Sequence, residues 1–261
     1  MSVVDWSALA EPIQDQGECG SCTAFGLTGV IEALYLQKYG KRVKLSERDL
    51  FFCSGGSCGR GNTMEAPLAR AQESGIATDG CCPYGDVVAG RDHSCGDGRC
   101  GEWWKDGVKI ASWSRLDTPA DIDAAIRAGP VFMSMAVPQS FMNYRGGIYH
   151  SLGLFDAIAG YHAIGCFGKN FEEGWIEGRN SWGASEWGEE SVSNHIPGEE
   201  GWFRVKSDDP ALELDFYKVV VNGPIPEPDP SPCPLGNGVA KVLNLLAKLA
   251  GSRGRFYYLN P

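Results

Sequence analysis

Ten cysteines in 261 residues constrain this chain more than any other feature of its sequence. Paired zinc sites would need repeated Cys-x-x-Cys units, but the sequence has a single such unit, Cys19 to Cys22, and its four histidines stand singly. The other cysteines follow at irregular spacings. We therefore expect a disulfide framework formed in an oxidising compartment, and no metal site.

Charge and hydropathy argue against nucleic-acid binding and against a membrane-spanning segment. The net charge of −10 argues against a protein that binds nucleic acid through its phosphates. The longest nearly uncharged stretch, residues 146–168, contains Asp156, two histidines and several glycines, so we expect no membrane span. Residues 1–30 lack a basic segment followed by an apolar one, and no signal peptide is predicted there.

The chain divides into two halves of different pattern, followed by a tail. Helical spacing and capping residues predict helices over residues 21–39, 46–52 and 64–74, followed by cysteine-rich loops. The second half has one short helix, 118–129, and then strand-like runs at 131–137, 161–167, 174–178, 202–205 and 216–221. We expect an α+β protein with a helical domain at 1–110, a β-rich domain at 111–223 and a cleft between them.

Residues 224–261 form a tail of distinct composition. A proline-rich spacer comes first, and five apolar residues with helical spacing follow it: Val239, Val242, Leu243, Leu246 and Leu249. The tail carries four basic and two acidic residues. It is predicted to dock on its own domain, away from the cleft, since a short amphipathic helix needs tertiary packing. A partner, targeting or membrane-surface role is the alternative.

Cys22 is the candidate nucleophile. It follows Ser21, a good N-cap, so it lies at the start of a helix, where free N–H groups and the helix dipole favour a thiolate. One alternative is that Cys22 is half of a disulfide. Another is a redox Cys-x-x-Cys site, but the βαβ context of such sites is not visible here.

A cysteine nucleophile needs a proton acceptor and a group that orients it. His162 begins an apolar run at the entrance to a predicted strand, and Asn180 follows another strand. Taken singly, a histidine in this position is more often just packed, and an asparagine is a turn residue. Together, the order Cys22, His162, Asn180 and its approximate spacing are those of papain-type peptidases.

The chain resembles the papain/cathepsin family of cysteine peptidases along most of its length, from about residue 3 to residue 221. The matching segments are 12–25 (PIQDQGECGSCTAF), 161–165 (YHAIG), 179–183 (RNSWG) and 187–189 (WGE), with shorter matches at 5–6, 58–61 and 144–148. The resemblance implies a two-lobed fold, with a helical, disulfide-rich left lobe and a β-barrel-like right lobe. The active site would lie in the cleft between them.

The resemblance also implies a mechanism without a cofactor. Cys22 and His162 would form a thiolate–imidazolium pair, while Gln16 and the Cys22 N–H would stabilise the oxyanion. Asn180 would hold the imidazole, and Trp182 would shield that contact from water. Two disulfides, Cys19–Cys58 and Cys53–Cys95, are implied as well. Cys100 would pair with Cys81 or Cys82, and Cys166 would be a buried thiol.

The substrate pocket implied by the resemblance is unusual. Its expected residues are Gly61, Asn62, Thr63, Ser134, Gly160, Tyr161 and Trp182. Asn62 and Thr63 stand where the family often has an aromatic residue and a proline, and Tyr161 stands where it usually has Asp or Asn. Thr23 replaces the aromatic residue that usually follows the nucleophile. The residue preferred in a substrate therefore does not follow from the resemblance.

The expected function is that of a secreted or lysosomal/vacuolar thiol endopeptidase acting on proteins or peptides. An inhibitory propeptide and cystatin-like inhibitors are the other partners implied. A catalytically dormant peptide-binding protein and a Cys–His acyl transferase are the alternatives, and the intact set of reacting residues favours the peptidase over the dormant protein.

Overall fold

The computed structural model describes residues 2–184, 187–191 and 200–224. These ranges contain four α-helices: α1 (Cys22–Tyr39), α2 (Glu47–Cys53), α3 (Glu65–Glu73) and α4 (Pro119–Ala128). The same described ranges contain eight strands: β1 (Val3–Asp5), β2 (Val108–Leu116), β3 (Val131–Pro138), β4 (Ile148–Tyr149), β5 (Ile158–Asn170), β6 (Trp175–Arg179), β7 (Trp202–Lys206) and β8 (Asp215–Pro224). Short 3₁₀ helices lie in the connections. The tail beyond Pro224, with its predicted helix, falls outside the described residues.

The strands form one mixed sheet in the order β2-β8-β3-β5-β6-β7-β4, with β1 added at β5. All pairs are antiparallel except β4 with β7. The α+β class and the papain-like two-lobed fold are confirmed. Within the described residues the strands of this sheet form an open path.

Strand β5 separates two apolar cores. Ala163 and Phe167 belong to the core that α1 shares with the other N-terminal helices, whereas Ile164 and Cys166 belong to the core around Phe203 and the tryptophans. Successive side chains of a strand point to opposite faces, so one strand lines both cores. His162, directly before Ala163 on β5, is wholly buried.

Helix α1 is buried along most of its length, as expected for a helix surrounded by other elements. It approaches β5 closely at Gly26, where an added Cβ atom would lie 2.9 Å from the backbone of Ile164. Gly40, in the left-handed conformation with φ 65°, ends the helix. This close packing places the N-terminal part of α1 beside the middle of β5.

Three disulfides join the N-terminal loops: Cys19–Cys58, Cys53–Cys95 and Cys81–Cys100. The first two are the pairs that the resemblance implies, and the third selects Cys81 over Cys82 as the partner of Cys100. Cys166 is buried and lies outside the disulfides. Each bridge of this loop size stabilises the fold by about 2–4 kcal/mol.

The predicted helices have the expected capping residues in two cases. The Ser46 hydroxyl accepts from the Asp49 N–H at 2.9 Å, and the Thr118 hydroxyl accepts from the Asp121 N–H at 3.1 Å. Ser21 is a correction: it occupies the N-cap position of α1, but its side chain makes no capping hydrogen bond. Strands β1, β2 and β4 were not predicted, and the 110/111 domain boundary, which remains a prediction, falls inside β2.

No helix in the described part of the chain is long and apolar enough to cross a lipid bilayer.

Candidate active site

Cys22 is the first residue of α1 and is wholly buried. It lies outside the three disulfides, and the backbone N–H groups of Ala163 and Thr23 form hydrogen bonds with its sulfur. Ala163 directly follows His162 on β5. The contact therefore joins the predicted nucleophile of the first half of the chain to the predicted base of the second half.

His162 is held on one side by Asn180 and covered by Trp182. Its Nε2 lies 2.7 Å from Asn180 Oδ1, and the rings of His162 and Trp182 have centroids 4.8 Å apart, inclined by 33°. Asn180 Oδ1 can only accept, so Nε2 carries a proton in this contact. In the neutral imidazole, Nδ1 is then the basic atom, and it is buried with no hydrogen-bond partner among the described residues.

Asn180 is itself fixed by backbone contacts. Its N–H donates to Gly201 O at 3.1 Å, and its Oδ1 accepts from the Ser181 N–H at 2.8 Å. Trp182 packs edge-on against Trp187, with centroids 4.8 Å apart. Trp182 thus covers the His162 ring beside its contact with Asn180, and the shielding of that contact from water stays a prediction.

Gln16, the expected oxyanion donor, is held by the segment that carries Asn180. Its N–H donates to Ser181 O at 2.8 Å, and the Ser181 hydroxyl donates to its Oε1 at 2.7 Å. These contacts orient the amide so that Nε2 faces Cys19, whose carbonyl oxygen it reaches at 3.0 Å. Sequence analysis did not identify Ser181; its place directly after Asn180 was the available signal.

Burial sets the electrostatics of the pair. Loss of solvation raises the pKa of Cys22 to about 12, although the N–H groups of Ala163 and Thr23 act in the opposite direction. Burial also lowers the pKa of His162 to about 4, against the opposing effect of Asn180. Both shifts favour the uncharged forms of the thiol and the imidazole in this conformation. Loss of hydration outweighs the stabilisation of a thiolate expected at a helix N-terminus.

The expected pocket residues fall into two groups. Ser134 on β3 pairs with Ala163, and Gly160 and Tyr161 lie on β5 just before His162, so these three are near His162. On the helical side, Asn62 Nδ2 donates to the Ser54 hydroxyl at 2.8 Å, and Asn62 Oδ1 accepts from the Thr63 N–H. The polar groups of Asn62 thus hold the local loop, which begins at Gly61 with φ 70°.

The other histidines noted in the sequence are not among the residues described for this site. His93 Nδ1 lies 3.0 Å from the Arg48 guanidinium in the disulfide-bonded loops, and His195 lies outside the described residues. Within the described ranges, no group of three or more His, Cys, Asp or Glu side chains is placed to hold a metal ion.

Comparison with known proteins agrees with this geometry. Residues 2–210 match the family described as papain family cysteine protease. The chain is 33% identical over 200 residues to digestive cysteine proteinase 1 of Homarus americanus, a match that covers 71% of this chain and 59% of that protein. It is 31% identical over 199 residues to cysteine proteinase 3 of Solanum lycopersicum, covering 71% and 53% of the two chains. The chain thus spans somewhat more than half the length of these relatives.

A solved structure shows the same fold. The Carica candamarcensis cysteine protease CMS1MS2, in complex with E-64, superposes with a TM-score of 0.65 and is 25% identical. The match covers 84% of this chain and 98% of that one. With a matching family profile over four-fifths of its length and this shared fold, the chain belongs to the papain family of cysteine proteases.

Proposed function

We propose that this chain is a cysteine endopeptidase that uses Cys22 as nucleophile and His162 as acid and base. One observation carries the proposal: His162 Nε2 is bound to Asn180 Oδ1 at 2.7 Å, while its basic Nδ1 has no partner among the described residues. An unpaired buried nitrogen costs stability. The unpaired atom, His162 Nδ1, lies where the family mechanism requires a base.

Entry of water or a peptide into the cleft removes part of the desolvation of Cys22 and His162. Removing it lowers the pKa of the thiol and raises that of the imidazole, so the proton passes from sulfur to Nδ1. The resulting thiolate–imidazolium pair is the form that attacks substrate. The neutral pair of the buried conformation is its resting state.

The reaction then follows acyl transfer. The Cys22 sulfur bonds to the carbonyl carbon, and the carbonyl oxygen takes up the negative charge near Gln16 Nε2 and the Cys22 N–H. His162 gives its proton to the leaving amine as the peptide C–N bond breaks. It next takes a proton from water, whose oxygen attacks the acyl carbon and releases the sulfur. Asn180 keeps the ring in position throughout.

The surroundings of the enzyme are part of the proposal. The three disulfides support an oxidising environment, so we place the enzyme outside the cell as a secreted protein or in a lysosome or vacuole. Protein or peptide substrates are the partners proposed, together with an inhibitory propeptide or cystatin-like inhibitors. Residue preference would be set by Ser134, Gly160 and Tyr161 on one side and by residues 61–63 on the other.

Cleavage of a peptide library by the Cys22→Ala variant tests the proposal. We expect kcat/KM to fall by about 10⁴-fold or more, with an unchanged fold, since the nucleophile alone is removed. Cys166→Ala is the matched control: it removes another buried thiol whose pKa burial also raises to about 12, and it should retain activity.

The products separate the alternatives. Internal cleavage that depends on Cys22 supports the endopeptidase. If an added amine captures most of the acyl groups, the chain is an acyl transferase instead. If the unaltered chain binds peptides but cleaves none, it is a dormant member of the family.

A further inference from the structure

The loop after Cys81 reaches the segment that carries the expected oxyanion donors. The Tyr84 hydroxyl lies 2.9 Å from the carbonyl oxygen of Gln16 and 2.7 Å from the hydroxyl oxygen of Ser21. A carbonyl oxygen can only accept, so the Tyr84 proton goes to Gln16. The Ser21 hydroxyl then donates to Tyr84 at 2.7 Å, the shorter of its two contacts, the other being with the carbonyl oxygen of Cys19 at 3.4 Å. The Tyr84 hydroxyl therefore bridges Gln16 and Ser21, which are five residues apart in the sequence.

Both ends of this bridge adjoin a group that the proposed mechanism uses. Gln16 supplies the side-chain amide of the oxyanion hole, and Tyr84 holds the carbonyl of that same residue. Ser21 directly precedes Cys22, whose backbone N–H is the second donor. This contact also explains why the Ser21 side chain does not cap α1. Its hydroxyl is engaged with Tyr84 instead.

Tyr84 is itself held in place. Its ring packs edge-on against Phe25 of α1, with centroids 4.9 Å apart. Four residues later, Val88 O accepts the Glu18 N–H at 2.8 Å, so the same loop also contacts the chain between Gln16 and Cys22. The Cys81–Cys100 disulfide closes the loop. Burial raises the pKa of Tyr84, against the effect of Ser21, and the phenol remains a donor at any working pH.

We propose that Tyr84 is a positioning residue of the oxyanion hole, which sets the separation between the Gln16 amide and the Cys22 N–H. The inference rests on the proposed function, because it assumes that these two groups receive the oxyanion. A donor aimed at developing charge is effective only when it is held before the reaction. Tyr84 reaches no reacting atom and acts through Gln16 and Ser21.

Tyr84→Phe tests this role because it removes the hydroxyl and keeps the ring on Phe25. The first probe is a peptide aldehyde: the Cys22 sulfur adds to its carbonyl carbon, the thiol proton goes to the former carbonyl oxygen, and that oxygen occupies the hole. The second probe is iodoacetamide: its methylene carbon bonds to the Cys22 sulfur, the carbon–iodine bond breaks to release iodide, and the thiol proton goes to His162. No oxyanion forms in this reaction.

We expect the inhibition constant of the aldehyde to rise about 5- to 10-fold, and kcat to fall by a similar factor, the size of one net hydrogen bond. KM and the iodoacetamide rate constant should stay within twofold. Tyr217→Phe is the matched control. It removes another Tyr hydroxyl, one that donates to Glu65 at 2.8 Å, and it should leave both probes unchanged.

Two results would overturn the role of Tyr84. If the inhibition constant of the aldehyde changes no more in Tyr84→Phe than in Tyr217→Phe, the Tyr84 hydroxyl has only a structural role. Equal losses with aldehyde and iodoacetamide would place the effect on Cys22 itself. If Tyr84→Phe does not fold, Ser21→Ala removes the other end of the bridge and must give the same selective loss. An unaltered enzyme that reacts with neither probe would instead overturn the proposed function.

Discussion

Helix α1 buries two polar clusters that differ in one respect. The catalytic cluster (Cys22, His162, Asn180 and Trp182) lies at its first turn, and the lysine cluster (Thr28, Glu32, Lys44 and Glu47) lies along its middle. In the catalytic cluster, His162 Nδ1, Asn180 Nδ2 and Trp182 Nε1 are buried with no hydrogen-bond partner among the described residues. In the lysine cluster, by contrast, no buried polar side-chain atom lacks a hydrogen-bond partner among the described residues.

The lysine cluster is complete because each carboxylate has several donors. Glu32 Oε1 accepts from the Leu45 N–H at 2.7 Å and lies 3.3 Å from Lys44 Nζ. Glu47 Oε1 accepts from the Thr28 hydroxyl at 3.1 Å and also pairs with Lys44. Burial alone would lower the pKa of Lys44, but the two carboxylates outweigh it and keep the ammonium charged.

The contrast distinguishes structural burial from functional burial. Buried polar groups are normally paired, because an unpaired one costs about 1–3 kcal/mol. The lysine cluster follows that rule and holds α1 to the loop before α2. The catalytic cluster departs from it and keeps hydrogen-bonding capacity for a substrate or water. Changes in the first should therefore affect stability, and changes in the second should affect catalysis.

The largest expected effect is that of His162→Ala. We expect kcat/KM to fall by about 10³- to 10⁴-fold, nearly as far as in Cys22→Ala, because triad members act as a unit. The free energy of unfolding should change far less than activity does. Urea unfolding and peptide cleavage measure the two. A Cys22→Ala/His162→Ala double variant should be no less active than Cys22→Ala alone. A kcat/KM of His162→Ala within tenfold of that of the unaltered enzyme would contradict the role of His162.

Lys44→Met should give the opposite pattern. Removing the cation leaves the carboxylates of Glu32 and Glu47 buried beside each other, which should lower the free energy of unfolding by about 2–3 kcal/mol. The figure is at the low end because 30% of the Lys44 side chain is exposed. Folded enzyme should keep its kcat/KM within about twofold. Urea unfolding at neutral pH measures the first quantity.

The control for this change is Lys105→Met. Lys105 pairs with Glu102 at 2.7 Å, but both side chains are about half exposed or more. An exposed ion pair contributes about 0–1 kcal/mol, so this variant should be nearly as stable as the unaltered protein. Equal losses in the two lysine variants would show that the buried cluster has no special weight.

The smallest expected effect is on the pH dependence of stability in Glu32→Gln. Burial raises the pKa of Glu32 to about 7, although Lys44 opposes the shift. The folded protein thus holds this proton more tightly than the unfolded chain, in which the pKa is about 4.3. The contribution of Glu32 is fully present below pH 4.3 and is lost as the pH rises to 7.

Glutamine does not titrate, so the variant should lose less stability than the unaltered protein between pH 4.3 and 7. The difference should appear as a flatter dependence of the free energy of unfolding on pH, measured by urea unfolding across that range. Parallel curves for the two proteins would show that Glu32 titrates normally, and the lysine cluster would then be fully ionised when folded.

Local signals in the sequence determined the elements that their own residues specify. Ser46 and Thr118 cap helices because each hydroxyl needs only a backbone N–H three residues away. Gly40 ends α1 because its left-handed conformation suits glycine. The motifs around Cys22, His162 and Asn180 predict the reacting residues, since each side chain belongs to a segment of specific sequence. Short strands such as β4 have too few residues to show a pattern.

Only the tertiary structure decided how these segments complete one another. The Ser21 hydroxyl turns to Tyr84, 63 residues away, and the Ser181 hydroxyl orients Gln16 across 165 residues. No local pattern encodes such contacts, because the partners lie on segments far apart in sequence that only the fold brings together. The same packing removes water from Cys22 and His162, so the charge state of the pair is a property of burial. Sequence determines which groups can react, and three-dimensional packing determines their pKa values and partners.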